Sequence, residues 1–344
     1  MPVREPTIDQ VGEPEIPRGQ IEPSVLIVIV NYCTSRLTID CLRSLELEVA
    51  GKSGVRVVVA DNASPDGSGR EIAEAIEANG WSGWAQCALL DRNGGFAFGN
   101  NAAIRARKGA EPDYYWLLNS DTAVRPGAMR HLTDFLDRHP HVGIAGSRLE
   151  YLDGVQQIST FRFPTILGEI EANAPVGRLL RRLLAASVVA EPASPQLRAC
   201  DWLAGASMMI RAKVIDEIGL MDEGYFLYYE ETDFCLRARR RGWQCWFVPD
   251  SRVVHFIGAS TGVTGKRPGP PMRRPRYWFA SRRRYFVVNH GRLYAIAADV
   301  GLIAATVLRL AIDKLKRRST EVPEKFLHDL VVSSALFNSP ESGG

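Results

Sequence analysis

Residues Val25–Tyr32 read VLIVIVNY, six apolar residues in a row followed by Asn31. The run is rich in β-branched side chains, which is the pattern of a strand buried on both faces. Working outward, Thr38–Leu47 has helical periodicity, and Val55–Asp61 (VRVVVAD) is a second buried strand. The turn-rich Asn62–Gly69 separates it from a helix over Arg70–Ala78. Strand and helix go on alternating: Cys87–Asp91 then Phe98–Lys108, Tyr114–Asn119 (YYWLLN) then Pro126–His139, and a strand over His141–Leu149. Strands recurring every 25–35 residues or so, with helices between, suit right-handed crossovers in a parallel sheet. The expected fold class is α/β, a Rossmann-like, mostly parallel central sheet with helices on both faces. Each early strand ends in polar residues, at Asn31, Asp61, Asp91 and Asn119–Asp121. The carboxyl ends of such strands are where ligands bind.

The middle of the chain is less regular. Tyr151–Pro164 suits a β excursion, and Thr165–Pro195 holds a basic helical segment around Arg178–Leu184. A strand is expected over Asp201–Ile210 (DWLAGASMMI), a short helix over Lys213–Ile218, and a helix over Thr232–Arg241 closed by Gly242. Trp243–Pro249 returns as a strand, and a helical extension follows Arg276. The uncharged run Val300–Leu308 is nine residues long and Asp299 precedes it, whereas a bilayer span needs about 20 apolar residues. An interfacial or core-packed helix is therefore expected over a spanning one. The domain reading is an irregular lead-in over 1–24, one α/β domain over 25–265 with halves 25–121 and 122–265, and a basic, apolar helical tail over 266–344.

A chain of 344 residues that is 46% apolar has enough apolar content for one extended core, and no repeat suggests a solenoid. The net charge of +3 matters less than its distribution. Lys266, Arg267, Arg273, Arg274, Arg276, Arg282, Arg283 and Arg284 lie in one stretch without an acid. A second cluster holds Arg309, Lys314, Lys316, Arg317 and Arg318. Two basic clusters flanking an apolar stretch suit an anionic partner, a lipid surface or a pyrophosphate, while an apolar basic tail equally suits a homodimer. No nucleic acid partner is expected. The six cysteines form no CxxC and Met1–Ser24 has no secretory pattern, so a reduced cytoplasmic setting is expected.

Several segments carry candidate chemistry. Asn119-Ser120-Asp121 follows a buried strand, where oxygen ligands can meet a divalent metal bridging phosphates, although the same residues also cap ordinary turns. Asp61-Asn62-Ala63-Ser64 offers hydrogen-bond acceptors for a base or ribose. In Asp91–Asn101 (DRNGGFAFGNN), Asn93 and Asn100 offer neutral hydrogen bonds and paired glycines allow close approach of a ligand. The helix that follows presents N–H groups toward an anion. Neither GxGxxG nor GxxxxGK[ST] occurs. Asp222–Arg237 (DEGYFLYYEETDFCLR) joins Glu230, Glu231 and Asp233 to aromatics suited to stacking on sugars. Clustered acids raise one another's proton affinity, as a general base requires, though acids also favour any helix N-terminus. His255 stands alone in an apolar context, and Trp202 lies near the presumed rim.

Taken in order, VIVNY with CLRSL (Val28–Leu45), ADNAS (Ala60–Ser64), RNGGFAFGNN (Arg92–Asn101), LLNSD (Leu117–Asp121), GASMMIR (Gly205–Arg211) and GYFLYYEETDFCLRARRRGW (Gly224–Trp243) resemble the inverting glycosyltransferase family 2. The chain is similar in particular to the rhamnosyltransferase-like branch of bacterial polysaccharide and cell-wall synthesis, over about Val25 to His255. The resemblance implies a GT-A fold, Mn2+ or Mg2+ as cofactor and a nucleotide-sugar donor, a dTDP- or UDP-sugar. Asn31 and Asp61 would bind the nucleotide, Asp61 at the base. Asn93 and Asn100 would belong to the donor loop, and Asn119 and Asp121 to the DxD position. Asp121 becomes the prime metal ligand, with His255 as a further one; Asn119 stands where a carboxylate is usual. Glu231 is implied as general base, a glutamate where aspartate is commoner, with Glu230 and Asp233 as alternatives and Arg237 as a diphosphate contact. The implied acceptor is a saccharide or a polyprenyl-diphosphate-linked saccharide, met by a peripheral protein at the cytoplasmic face of the inner or plasma membrane. A nucleotidyltransferase and a non-catalytic sugar-nucleotide-binding scaffold are the alternatives.

Overall fold

The structure is a computed structural model that describes residues 22–107, 109–174, 185–256 and 272–338. In chain order the first half comprises β1 (Val25–Asn31), α1 (Ser35–Val49), β2 (Val55–Asp61), α2 (Ser68–Ala78), β3 (Ala85–Leu89), α3 (Gly95–Arg105), β4 (Tyr114–Asn119), β5 (Thr122–Val124), α4 (Ala128–Arg138) and β6 (Val142–Glu150). There follow β7 (Thr160–Phe161), α5 (Ile166–Asn173), β8 (Arg198–Cys200), β9 (Trp202–Leu203), β10 (Ser207–Arg211), α6 (Ala212–Ile218), α7 (Glu230–Arg240) and β11 (Gln244–His255). Helices α8 (Arg276–His290), α9 (Arg292–Leu315) and α10 (Phe326–Val332) close the chain. The expected lead-in up to residue 21, the basic helix around Arg178–Leu184 and the pair Lys266 and Arg267 lie outside the described residues.

Nine strands form one sheet in the order β3-β2-β1-β4-β10-β6-β11-β5, with β8 added beside β11. The half β3-β2-β1-β4 is parallel throughout, as the alternation of strand and helix predicts. β10 then enters antiparallel between β4 and β6, and β11 runs parallel to β6. The side chains of each central strand divide between two cores. Val25, Ile27 and Ile29 join the core beneath α1, α2 and α4, while Leu26 and Val28 join Ala97, Phe234 and Cys235 of α3 and α7. Burial on both sides is why these strands read as unbroken apolar runs. α4 has no cap of its own; instead buried Glu48 of α1 accepts from the amides of Gly127 (2.5 Å) and Met129 (3.0 Å).

Two expectations need correction. The single strand over Asp201–Ile210 is broken into β9 and β10 at Ala204-Gly205-Ala206, because β9 pairs with β7 in a separate two-stranded sheet while β10 enters the main sheet between β4 and β6. Part of the first basic cluster is tied up by acids and backbone: Arg282 and Arg283 are buried, whereas Arg274 and Arg276 stay exposed. Arg273 pairs with Asp329 (2.6 Å), Arg284 with Asp222 (2.8 Å), and Arg282 with both Glu169 (2.7 Å) and Asp299 (2.5 Å). Arg283 donates to the Ser333 carbonyl at 2.7 Å. Sequence proximity grouped these arginines, whereas helical geometry points them to different acids on α5, α9, α10 and the loop before α7.

The helical extension packs on the rest of the fold. Ser281 of α8 donates to the Leu227 carbonyl (3.0 Å), and Asn289 donates to Asp233 of α7 (2.7 Å). α9 lies on α5, where Ile166 and Ile170 approach Gly301. Arg282 is 2% exposed, and a buried guanidinium persists only when its partners are in place; here they are Glu169 and Asp299.

Candidate active site

The carboxyl ends of β1, β2 and β4 meet, and their polar residues bond to one another. Asn31 donates from Nδ2 to Asp61 Oδ1 (2.7 Å), while its Oδ1 accepts from the hydroxyls of Thr34 (2.9 Å) and Thr38 (2.8 Å). Ser64 donates to both carboxylate oxygens of Asp61, through its hydroxyl at 2.6 Å and its amide at 3.1 Å. Thr34 and Ser120 share a hydrogen bond of 3.2 Å, tying the loop after β1 to the loop after β4. Asp61 is thus a buried carboxylate held rigidly at a strand end. Cys33 and Ala63, just beyond the strands, adopt φ of 55° and 56°. Left-handed backbone at non-glycine residues costs energy and gathers at ligand sites.

The paired glycines do a different job from the one the sequence suggests. A Cβ on Gly95, whose φ is 88°, would overlap the carbonyl of Phe226, and Phe96 donates its amide to that same carbonyl at 2.8 Å. Gly99 lets α3 lie on β1, since a Cβ there would stand 2.7 Å from Val30 Cγ1. The close approach is therefore to protein. The amides of Gly95 and Phe96, at the start of α3, are occupied by Asn93 Oδ1 (3.0 Å) and Phe226. Asn100 donates to the Phe96 carbonyl (2.9 Å), leaving its Oδ1 buried without a hydrogen bond. Asn62, which sequence reasoning gave no separate role, donates to the Gly95 carbonyl at 2.9 Å and joins the two loops. Asn101 grips the Met221 backbone through both side-chain atoms. The loop before α3 and the loop before α7 thus form one wall.

That wall presents the acids. Tyr228 and Tyr229 stand at φ 72° and 70°, two successive left-handed residues that swing the chain into α7. Glu230 and Glu231 are the first residues of the helix. Glu230 is 1% exposed and its Oε2 has no hydrogen bond, so burial, then the charge of Glu231, pushes its carboxyl well above the usual range. Burial raises Glu231 as well, partly offset by the amide of Gly205, which donates to its Oε1 at 3.2 Å. Glu231 is the member of the pair that reaches the surface. A Cβ on Gly205 would fall 2.5 Å from Glu231 Oε1, so any larger residue here would push the carboxylate aside. The next residue, Ala206, accepts the amide of Asn119 (3.1 Å), which sets the acids beside the end of β4. Tyr277 of α8 packs against Phe226 and Tyr228, with ring centroids 5.3 and 6.1 Å apart. This aromatic surface was invisible in sequence because Tyr277 lies about 50 residues downstream, in the helical extension.

Asp233 and Arg237 have structural bonds instead. Asp233 accepts from Asn289 (2.7 Å) and Arg237 (2.8 Å), and Arg237 donates to the carbonyls of Ile218 and Leu220. Arg237 therefore faces its own helix and backbone. Trp202 stacks on Phe161 at 4.2 Å and donates to the Arg162 carbonyl.

His255, at the end of β11, comes to Asp121: Nε2 lies 3.5 Å from Oδ1. The side chain that orients it is Gln157, which had not been singled out. Gln157 Nε2 donates to the His255 carbonyl (2.8 Å), and a carbonyl can only accept, which fixes the amide's orientation. Its Oε1 therefore faces His255 Nδ1 at 3.1 Å, making Nδ1 the donor. In the neutral ring, Nε2 then carries a lone pair toward the Asp121 carboxylate. A neutral imidazole nitrogen and a carboxylate 3.5 Å apart are both ligand types that a divalent cation takes. Asn119 Oδ1, buried without a hydrogen bond, adds a neutral oxygen at the end of β4. Among the described residues no three His, Cys, Asp or Glu side chains converge. Magnesium and manganese fit such a set, because they keep positions for water and substrate phosphate.

Comparison with known proteins shows the family and the fold. The chain is 24% identical over 316 residues to N-acetylglucosaminyl-diphospho-decaprenol L-rhamnosyltransferase of Mycobacterium tuberculosis, covering 87% of this chain and 97% of that protein. It is 26% identical over 173 residues to the dTDP-rhamnosyl transferase RfbF of Shigella flexneri, where the match spans 49% of this chain and 51% of that one. Among solved structures, the mannosyltransferase PcManGT of Pyrobaculum calidifontis, in complex with GDP-Man and Mn2+, superposes with a TM-score of 0.52 at 14% identity. That superposition covers 92% of this chain and 87% of the other and shows a shared GT-A fold. A family model described as "Glycosyltransferase like family 2" matches residues 15–286. The sheet, the strand-end polar network and a match over most of the length lead to one conclusion: the chain belongs to the family 2 glycosyltransferases and is a transferase of GT-A fold.

Proposed function

We propose that the protein is a divalent-metal-dependent, inverting glycosyltransferase that moves L-rhamnose from dTDP-rhamnose to a saccharide carried on a polyprenyl diphosphate. The observation that carries the mechanism is the bridge Gly205-Ala206, which holds Glu231 through one residue and Asn119 through the next. An acid of raised proton affinity and the Asp121–His255 pair therefore serve one cleft. Asp121 and His255 Nε2 would hold Mn2+ or Mg2+, with Gln157 fixing the histidine. Bound there, the cation supplies Lewis-acid neutralisation of charge on the departing diphosphate. Asp61, set by Asn31 and Ser64, receives the nucleotide base, while Asn93, Asn100 and Asn119 line the donor side. Glu231 accepts the proton of an acceptor hydroxyl as that oxygen attacks the anomeric carbon. Displacement opposite the leaving group inverts the configuration. Phe226, Tyr228 and Tyr277 offer faces on which the acceptor saccharide stacks.

The rhamnose and the lipid-linked acceptor follow the relatives' activities, with a UDP-sugar as the competing donor. A lipid-linked acceptor sets the protein at the cytoplasmic face of the membrane, as a peripheral protein. Rigid capture of Glu231 and of the histidine tautomer favours catalysis over a scaffold role.

The test is a titration of the full chain with Mn2+, followed by electron paramagnetic resonance, with dTDP- and UDP-sugars present in turn. Mn2+ uptake should be lost in Asp121→Ala and weakened about 10–100-fold in Gln157→Leu, the usual cost of removing a ligand's supporting hydrogen bond. Uptake unchanged in both variants would reject the site; selection of UDP- over dTDP-sugars would overturn the donor.

A further inference from the structure

α9 carries a feature that the chemistry above leaves unused. Leu293, Ala297, Val300, Ala304, Val307, Leu308, Ala311 and Leu315 are all exposed along it. At 100° per residue they fall within one stripe on the helix, which runs about 33 Å at 1.5 Å per residue. Leu293 is 84% exposed and Leu315 83%. Arg292 donates to the carbonyls of Ala335 and Leu336, which sets the exposed Leu336 and Phe337 beside the start of the stripe. Large connected apolar surface of this kind is rare on a protein meant to stay in water on every side.

The helix is long and apolar enough to cross a bilayer, with a mean hydropathy of 1.9. Its inner face forbids that. Asp299 is buried in its ion pair with Arg282 and also accepts from the Ala335 amide (2.8 Å). Ala295, Ala298, Leu302 and Ala305 are buried against the neighbouring helices. Spanning would strip these contacts and leave a carboxylate and a guanidinium in hydrocarbon, whereas lying flat leaves all of them intact.

Charge selects the occupant of the outer face. Lys314, Lys316, Arg317 and Arg318 are exposed at its carboxyl end, and the stripe itself holds no charged residue. A second copy packed parallel on the stripe would set these clusters side by side. An antiparallel copy would set each near Arg292 of the other. Both arrangements oppose like charges. We propose that the stripe of α9 is the surface by which the protein docks on a bilayer of anionic lipids, apolar side chains at the headgroup boundary and the basic end against the headgroups.

Docking there orients the active site. α9 continues from α8 through Gly291, and α8 carries Tyr277 on the aromatic surface beside the acids. The inference deepens the lipid-linked acceptor reading and rests on it for its purpose, but the stripe stands on its own observations.

The experiment is flotation of the full chain with phosphatidylcholine vesicles, with and without phosphatidylglycerol. The wild type should float with the anionic vesicles, less so as salt rises. Val300→Asn with Val307→Asn and Leu308→Asn should lower partition about tenfold or more, since three apolar side chains leave the boundary. Lys316→Glu with Arg317→Glu and Arg318→Glu should weaken binding at low salt and abolish its salt dependence. All six positions are exposed, so Mn2+ and donor binding should be unchanged in both variants. Failure of the wild type to float, or equal flotation of the asparagine variant, would overturn the proposal. A wild-type dimer that becomes monomeric in that variant, with no vesicle binding, would assign the stripe to a second copy. Loss of donor binding in the wild type would instead sink the transferase reading and leave the vesicle result standing.

Discussion

Glu230 and Glu231 are neighbours in sequence with different surroundings. Glu230 is sealed beneath α7 with an oxygen that finds no hydrogen bond, and Glu231 reaches the cleft against the Gly205 amide. Both proton affinities are raised by burial, and the two acids titrate as a pair. A base must be ionised to act, so the rate should rise with pH through a limb above the ordinary carboxylate range, not near pH 4. Glu231→Gln should remove that limb and lower kcat by about 10²–10⁴, measured as donor turnover across pH. A variant that keeps both rate and limb would move the base elsewhere. The Glu231 side chain reaches across to the Gly205 amide, where a Cβ would crowd its carboxylate.

At the scale of elements, the site is a clasp between α3 and the loop leading into α7. Its two halves are more than 100 residues apart and meet through Gly95, Phe96 and Phe226. Gly95→Ala adds a Cβ that overlaps the Phe226 carbonyl, at a φ that L residues resist. The loops should separate, costing about 1–3 kcal/mol in urea unfolding and weakening donor binding, because Asn62 holds the same glycine's carbonyl. Unchanged stability with unchanged donor affinity would show that the clasp is not needed. The strained Tyr228 and Tyr229 belong to the same device, since the turn they make brings Glu230 and Glu231 to the cleft.

At the scale of the molecule, the helical extension is part of the active-site scaffold. Arg282 joins α8 to α5 and α9, Asn289 reaches Asp233, and Tyr277 completes the aromatic surface. Removing one partner of a buried ion network strands the others. Arg282→Met should therefore destabilise the whole fold by about 3–5 kcal/mol in equilibrium unfolding, and adding Asp299→Leu should restore part of the loss. A loss confined to α9, with the transition of the sheet unmoved, would show that the extension folds separately.

The parallel half of the sheet, the polar strand ends and the acids at the start of α7 were all determined by the sequence itself. Strands such as Val25–Asn31 and Val55–Asp61 are written in continuous apolar runs, and Asp61, Asp121 and Glu231 sit at fixed offsets from elements that local periodicity defines. Tertiary structure alone decided the partnerships. Gln157 meets His255 across 98 residues, and Gly205 meets Glu231 across 26. Nothing local marks either contact, because each arises where separate loops are brought to one edge of the sheet. The same reason separates the two basic clusters, which look alike in sequence. Folding pairs Arg273, Arg282 and Arg284 with acids on other elements, Arg282 in the interior, and leaves Lys314, Lys316, Arg317 and Arg318 at the surface. The number of basic residues is a property of the chain, and their freedom to meet a partner is a property of the packing.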